Sequence, residues 1–307
     1  MIDVTIDMNE IILKVGFEIH QQLSTKSKLF CNCKCLEAKN YDSTFLRKLR
    51  PAQSELGSYD RASIFEFTKM RTIKYHSSYI SSCLVEADEE PPHKINRDAM
   101  DTALIISLAL NSNIIDEINV MRKIVIDGSN TSGFQRTMLI SYGGYLQTEN
   151  KKIGVQTICL EEDSAKLLSD DGEFREYGLD RLGIPLIEIA LEPVVGTPTE
   201  IVKTALTLGR LLRASKRVAR GLGSIRQDVN ISINNGKGIV EVKGVQRLDQ
   251  LIKVIEYETI RQHGLILIAN KLNRERESNS IIPGDKILDI TDILIDSSSK
   301  IVKKIIS

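Results

Sequence analysis

Between residues 224 and 245 polar and apolar side chains alternate with a period of two, a pattern that fits only an extended, half-buried pair of strands. Ser224, Arg226, Asp228, Asn230 and Ser232 share one face, and Ile225, Val229, Ile231 and Ile233 share the other. Asn234-Asn235-Gly236-Lys237 is a hairpin signal, which predicts strands over 224–233 and 238–245. The returning strand sets Glu241 and Lys243 together, with Val240 and Val242 behind. One polar face therefore carries Arg, Asp, Asn, Glu and Lys side by side. Exposed sheets look like this when cross-strand ion pairs stabilise them. A site that handles phosphate needs the same set: acids for a hard cation, and Arg or Lys for charge developing on a transferring phosphoryl group.

Residues 11–20 obey the same rule. Leu13, Val15, Phe17 and Ile19 fall on one face, and Lys14, Gly16, Glu18 and His20 on the other. Residues 118–127 are strand-like and run into the loop Gly128-Ser129-Asn130-Thr131-Ser132-Gly133. Residues 97–110 have helical composition. Thr197-Pro198-Thr199-Glu200 opens a second helix with a capping box, which runs to about Lys216. A third helix is predicted over 248–263, stopping at Gly264. Residues 31–60 read as irregular. Strands grouped between a few long helices predict an α+β fold with a mainly antiparallel sheet. Regular βαβ alternation is missing, as are G-x-x-x-x-G-K-[ST] and G-x-G-x-x-G, the two commonest nucleotide loops. The polar run at 273–280, followed by Pro283-Gly284, is the expected linker.

With 307 residues, 42% of them hydrophobic, the chain can bury a sizeable core, and its length predicts about two domains. Lys and Arg number 41, as do Asp and Glu, so composition gives no support for a dedicated nucleic-acid binder. Trp is absent and aromatics are 5%, which leaves little stacking surface for single-stranded bases. Five Cys, an odd count, and an acidic amino terminus without an apolar core predict a reducing, cytosolic compartment. No stretch approaches the roughly 20 apolar residues that span a bilayer, so no membrane is expected.

Glu18 and His20 project from one strand face about 7 Å apart along the backbone, and can converge on one cation or substrate group. The alternative is a solvated strand face. Glu161, Glu162 and Asp163 close the apolar run VQTICL, where adjacent acids need a cation or hydrogen bonds. An acidic first turn of a helix would also accommodate them. Glu188 interrupts PLIEIAL, with Glu192 on the same face, and a carboxylate so placed should be paired or bound to metal. Arg122, Lys123 and Asp127 precede the 128–133 loop, which either cradles phosphate through amides and hydroxyls or is a plain connection. Cys31, Cys33 and Cys35 alternate, whereas structural zinc sites prefer C-x-x-C and four ligands. Cys83 and Cys159 stand alone in the sequence, so the spacing favours non-ligating thiols.

KVGFEIHQQLSTKSKLFCNC at 14–33, EADEEPP at 86–92, MRKIVIDGSNTSGFQRT at 121–137 and VQTICLEEDSAK at 155–166 form an ordered series. RLGIPLIEIALEP at 181–193, GLGSIRQDVNIS at 221–232 and VEVKGVQ at 240–246 complete it. In this order the segments resemble the B and E subunits of the tRNA-dependent amidotransferases. The loop DGSNTSGFQRT is similar to the archaeal E type; the B type has a Tyr-rich segment there, and a second cysteine pair where this chain has LRPAQSELG. A zinc site of the B type uses both pairs.

The resemblance implies a carbon–nitrogen ligase that phosphorylates the side-chain carboxylate of Glu-tRNA(Gln) with ATP. Ammonia then displaces phosphate from the γ-glutamyl phosphate to give Gln-tRNA(Gln). It implies an asparaginase-like glutaminase partner (the D type) as ammonia source, Mg²⁺, a cytoplasmic location and no DNA. No serine–lysine arrangement or activated Cys in this chain looks like a glutaminase nucleophile. The implied fold is a cradle whose sheet is related to that of glutamine synthetase. By motif, Glu18, His20 and Glu162 would bind Mg²⁺ and, with Arg226 and Asp228, carry the chemistry. Arg122, Lys123, Ser129, Asn130, Glu161, Glu188, Asn230, Glu241 and Lys243 would line the ATP and substrate pocket.

Full-length proteins of the E type insert a domain resembling one in bacterial aspartyl-tRNA synthetases, then continue to a helical region and a tail that hold tRNA. DITDILIDSSSKIVKKIIS resembles the start of that insertion. Residues 1–279 are therefore expected to form the catalytic cradle and 280–307 the start of an incomplete domain, with a seam near Asn279. The chain is expected to be a fragment, a truncated product or one piece of a split protein. The competing function is a non-catalytic cradle that only binds the glutaminase.

Overall fold

The computed structural model describes residues 11–51, 53–54, 56–149, 151–233, 238–277 and 289–306. The strands in chain order are β1 (Leu13–Gln22), β2 (Ser43–Lys48), β3 (Thr72–Ser77), β4 (Asn113–Ile114), β5 (Met121–Ile124), β6 (Phe134–Tyr142) and β7 (Tyr145–Gln147). They continue with β8 (Lys152–Glu162), β9 (Lys166–Asp170), β10 (Phe174–Gly178), β11 (Pro185–Leu191), β12 (Val194–Val195), β13 (Ile225–Ile233) and β14 (Val240–Val245). The helices are α1 (Arg61–Thr68), α2 (Arg97–Ala109), α3 (Pro198–Ala214), α4 (Leu248–Glu277), α5 (Thr291–Leu294) and α6 (Lys300–Ile306).

The larger sheet runs β14-β13-β1-β11-β8-β6-β4, with β12 on β1, β5 on β6 and β7 on β8. Every pair in it is antiparallel. A smaller sheet runs β2-β3-β10-β9, and its β3–β10 pair is parallel. The fold is thus α+β with mostly antiparallel sheets, as the alternation predicts. Alternate residues of the central strands supply the core: Val15, Phe17 and Ile19 on β1, Ile187 and Ile189 on β11, Ile158 and Leu160 on β8, Val229 and Ile231 on β13, all at most 1% exposed. Each such side chain contributes about 1.5–3 kcal/mol on burial. Helix α2 lies against β6 and β8, where Ser141 Oγ donates to Ser107 Oγ at 2.8 Å. The smaller sheet has a core of its own, built on Ile73, Tyr75, Tyr177, Leu179 and Leu182.

Helix α3 opens with the expected capping box: Thr197 accepts from the Glu200 backbone while the Glu200 carboxylate accepts from that of Thr197. The apolar stripe Ile201, Ala205, Leu208, Leu212 is buried. Two local expectations need correction, and one helix is new. Helix α4 does not stop at Gly264; one interior glycine costs only about 1 kcal/mol, too little to end a helix flanked by strong helix formers. Residues 31–60 are not all irregular, since Ser43–Lys48 forms β2, an edge strand whose charged residues conceal its alternation. Helix α1, capped by Asp60, was not foreseen. The hairpin tip at 234–237 and the expected seam near Asn279 lie outside the described residues.

The chain divides into two compact units, Met1–Ile260 and Arg261–Ser307. In the second, Ile290 and Ile293 are exposed. Among the described residues no helix is long and apolar enough to cross a membrane.

Candidate active site

β1 is hydrogen-bonded on both edges, and its register assembles the polar face. His20 stands opposite Glu188 of β11 and Arg226 of β13, and Glu18 stands opposite Ala190 and Asp228. Asn230 pairs with Gly16 on one side and Glu241 on the other. Cys159 of β8 stands beside Glu188, and Glu161 lies two residues further along the same strand face. Lys123, reaching in from β5, places Nζ 3.7 Å from Glu188 Oε2. The face thus gathers Glu18, His20, Lys123, Glu161, Glu188, Arg226, Asp228, Asn230, Glu241 and Lys243, ten of the fourteen residues expected at the site.

Two carboxylate groups form on this face. His20, Glu161 and Glu188 offer donor atoms within 4.8 Å of one another, and so do Glu18, Asp228 and Glu241. His20 Nε2 lies 3.0 Å from Glu188 Oε2 and 3.8 Å from Glu161 Oε1. Lys243 Nζ donates to Glu241 at 2.8 Å and to Asp228 at 3.4 Å. The Gly244 backbone N–H donates to Asp228 Oδ1 at 2.7 Å. Gly244 has φ 72°, a left-handed backbone that strains any L side chain, so this donor is placed by a glycine.

Burial and the adjacent Glu188 push the Glu161 carboxyl up to about 7. Burial alone would lower the His20 pKa; the hydrogen bond and charge of Glu188, with Glu161 and Asp228, outweigh it and hold the imidazole above its ordinary value. Glu188 is held below the usual carboxylate range by the His20 hydrogen bond, against its burial. Burial and the neighbouring acids push the Cys159 thiol up to about 12, so it is no nucleophile near neutral pH. Negative charge here exceeds what the nearby cations compensate. Carboxylate oxygens so crowded are the donor chemistry a hard divalent cation takes; Glu18, Asp228 and Glu241 fit Mg²⁺ by donor type, and in the other group the oxygens of Glu161 and Glu188 do while the His20 nitrogen does not.

Glu162 is not on this face. One residue beyond Glu161, its side chain emerges on the other side of β8, where Arg136 holds it through Nη1 at 3.2 Å from both carboxylate oxygens and through its backbone N–H. The expected convergence of Glu18, His20 and Glu162 is therefore not met, and Glu161 occupies the place beside His20. Burial, though opposed by Arg136, raises the pKa of Glu162. Asn130 borders the same crevice as Arg136 and Glu162. Ser129 is engaged through its backbone, donating to Asp127 Oδ1 at 2.9 Å and accepting from Ala165 at 2.8 Å. Arg122 pairs with Arg136 across β5 and β6 and stacks 5.5 Å over the Phe134 ring. These four expected site residues are thus not gathered with the ten. Glu192 lies beyond the end of β11, its backbone bonded to Gly154.

Asp163 is the residue whose importance sequence reasoning missed. It is fully buried, accepts from Arg226 Nη2 at 3.1 Å and from Gln22 Nε2 at 2.7 Å, and so fixes Arg226 beside His20. Its place at the end of an acidic run was visible, but its partners are distant in sequence. Beside Glu18 and Asn230 the face continues into a groove of about 640 Å³ with Ala190, Leu191, Pro193 and Val195 on its walls.

Residues 13–292 match the GatB/GatE catalytic domain family. The E-type chain of the glutamyl-tRNA(Gln) amidotransferase from Aeropyrum pernix is 48% identical over 302 residues, covering 98% of this chain and 47% of that protein. The E-type chains of the same enzyme from Saccharolobus islandicus and Sulfolobus acidocaldarius are 49% and 48% identical over 299 and 301 residues, each with 97% of this chain and 47% of the relative covered. The chain spans about half the length of the curated relatives it matches.

Proposed function

Because the chain belongs to the GatB/GatE catalytic domain family, we propose that it carries the site at which glutamate esterified to tRNA(Gln) is activated by ATP and amidated to glutamine. The observation that carries this reading is the polar face of the larger sheet, where acids and bases from six strands meet. Phosphorylating a carboxylate brings two anions together, and their repulsion must be offset by fixed positive charge. Arg226, held by Asp163, with Lys123 and Lys243, supplies that charge from side chains already oriented by ion pairs.

In this reading a carboxylate oxygen of the glutamyl group attacks the γ-phosphorus of ATP, and the bond to ADP breaks. Ammonia then attacks the acyl carbon, and phosphate leaves. Glu18 with Asp228 and Glu241, and Glu161 with Glu188, would hold Mg²⁺ through carboxylate oxygens, with His20 beside them; when bound the ion neutralises phosphate charge. The groove beside Glu18 and Asn230 has apolar walls suited to a planar base, so the adenosine would lie there. Ammonia would come from an asparaginase-like glutaminase partner, and the work on aminoacyl-tRNA would place the protein in the cytoplasm. The architecture would be the cradle with a glutamine-synthetase-like sheet, whose chemistry also passes through γ-glutamyl phosphate.

ATP cleavage dependent on Glu-tRNA(Gln), with Mg²⁺ and an ammonium salt and the part of the relatives that this chain does not span supplied as a separate polypeptide, tests the reading. Formation of Gln-tRNA(Gln) supports it, and ATP cleavage indifferent to Glu-tRNA overturns it. The alternative reading is a cradle that binds the glutaminase without turning over. Glutaminase binding with no Glu-tRNA-dependent cleavage in that complemented mixture would favour it.

A further inference from the structure

We infer that this chain binds a structural zinc ion through Cys31, Cys33, Cys83 and Glu86. Their three Sγ atoms and one carboxylate oxygen all lie within 4.8 Å of one another. Donors around a tetrahedral zinc stand about 3.5–3.8 Å apart, given bonds of about 2.3 Å to sulfur and about 2.0 Å to oxygen. The cluster is therefore within a small rearrangement of a closed coordination shell. Cys31 Sγ is hydrogen-bonded to Glu86 Oε1 at 2.9 Å, a pair that opens slightly when an ion replaces the proton between them. The Cys33 backbone N–H donates to Cys31 Sγ at 3.4 Å, and the Cys83 backbone N–H fixes the other Glu86 oxygen at 2.8 Å.

The competing account is a set of thiols hydrogen-bonded to a carboxylate. It leaves weak donors and a buried acid sharing one point, with Cys31 and Glu86 both at most 4% exposed. The cation beside that acid is Lys28, fully buried, whose Nζ lies 3.7 Å from Glu86 Oε1 and donates to the Leu179 carbonyl at 2.9 Å. A divalent ion binds the thiolates directly, and Lys28 then offsets the excess negative charge of three thiolates and a carboxylate.

The ion would tie the turn at 31–33 to the turn at 83–86. The Glu86 carbonyl accepts from Thr131 Oγ1 at 2.7 Å, which joins the staple to the glycine-rich loop. Gly183 packs against Glu86 and donates to the Asp163 carbonyl at 2.9 Å, which joins it to the support of Arg226. The site stands on its own geometry and does not depend on the reaction proposed above.

The test is elemental analysis of the chain purified without a histidine tag and dialysed against metal-free buffer, followed by exchange into cobalt. About one equivalent of zinc per chain is expected, and the cobalt form should show the intense bands of a tetrahedral, thiolate-ligated ion. Cys31→Ser, Cys33→Ser and Cys83→Ser should lose the metal. Glu86→Gln should bind it at least about ten-fold more weakly, while Cys35→Ser and Cys159→Ser keep it. Wild-type chain with less than about a tenth of an equivalent of zinc and no cobalt bands overturns the site. Loss in Cys35→Ser with full binding in Glu86→Gln overturns the donor set. Should the serine variants not fold, the cobalt spectrum of the wild-type chain decides by itself.

Discussion

Glu161 and Glu162 are consecutive on β8, and the two faces of the sheet treat them differently. Glu161 meets other acids: Glu188 lies close enough, with burial, to push its carboxyl up to about 7. Glu162 meets a dedicated base, Arg136, within 3.2 Å of both its oxygens. On the second face the acid has its counter-charge built in, so the pair is architecture. On the first face acids accumulate beyond the cations nearby, an arrangement that lowers stability unless something positive arrives. The excess charge, and not the number of acids, separates a site from a buried ion pair.

The comparison breaks most visibly in kinetics. Glu18→Gln and Asp228→Asn should each lower Glu-tRNA-dependent ATP cleavage about 10²–10³-fold, with the thermal midpoint kept. Wild-type rates in both variants would remove the polar face from the chemistry. Next comes Glu162→Ala, which strands Arg136 in a poorly hydrated place. A loss of about 3 kcal/mol in urea unfolding is expected, and a change near zero would mean that the pair is not structural.

Glu161→Gln should move stability in the opposite direction. The folded pKa of Glu161 is raised from 4.5 to about 7, so the folded wild type holds a proton that the unfolded chain releases. Wild-type stability therefore falls as pH climbs through that window, and the variant is spared the fall. Without divalent cations the variant should be more stable by about 3 kcal/mol near pH 8 and equal near pH 4, by paired urea titrations. The smallest effect is Gly244→Ala, about 1–2 kcal/mol from its left-handed backbone, with a larger relative loss of ATP cleavage than of stability because the donor to Asp228 is displaced. Equal losses in both would reduce Gly244 to a turn residue.

Much of the polar face was legible because strand alternation is a local property. Glu18 with His20, and Arg226 with Asp228 and Asn230, are fixed by a period of two within single strands. Glu188 was legible as an acid in an apolar run. What could not be read was the phase of the acidic pair at 161 and 162, since deciding which acid faces His20 needs the register of β8 against β11. The sorting of Arg122 from Lys123 failed for the same reason: a one-residue step on β5 exchanges faces. Cys83 looked solitary for a related cause, because its neighbours come from the turn at 31–33. The edge strand β2 and the passage of α4 through Gly264 were missed where local propensity is weak and tertiary context decides.

The central position of β1 has a consequence for motion. Its main chain is bonded to β11 and β12 on one edge and β13 on the other, and its alternate side chains are sealed in the core. Its amides should be among the last in this unit to exchange with deuterium, opening only when the whole unit unfolds. Glu18 and His20 thus ride on a strand paired along both edges and anchored in the core. Any rearrangement that admits a substrate must come from the loops and edge strands around them, so the chemical centre behaves as an anvil and its surroundings as the moving parts.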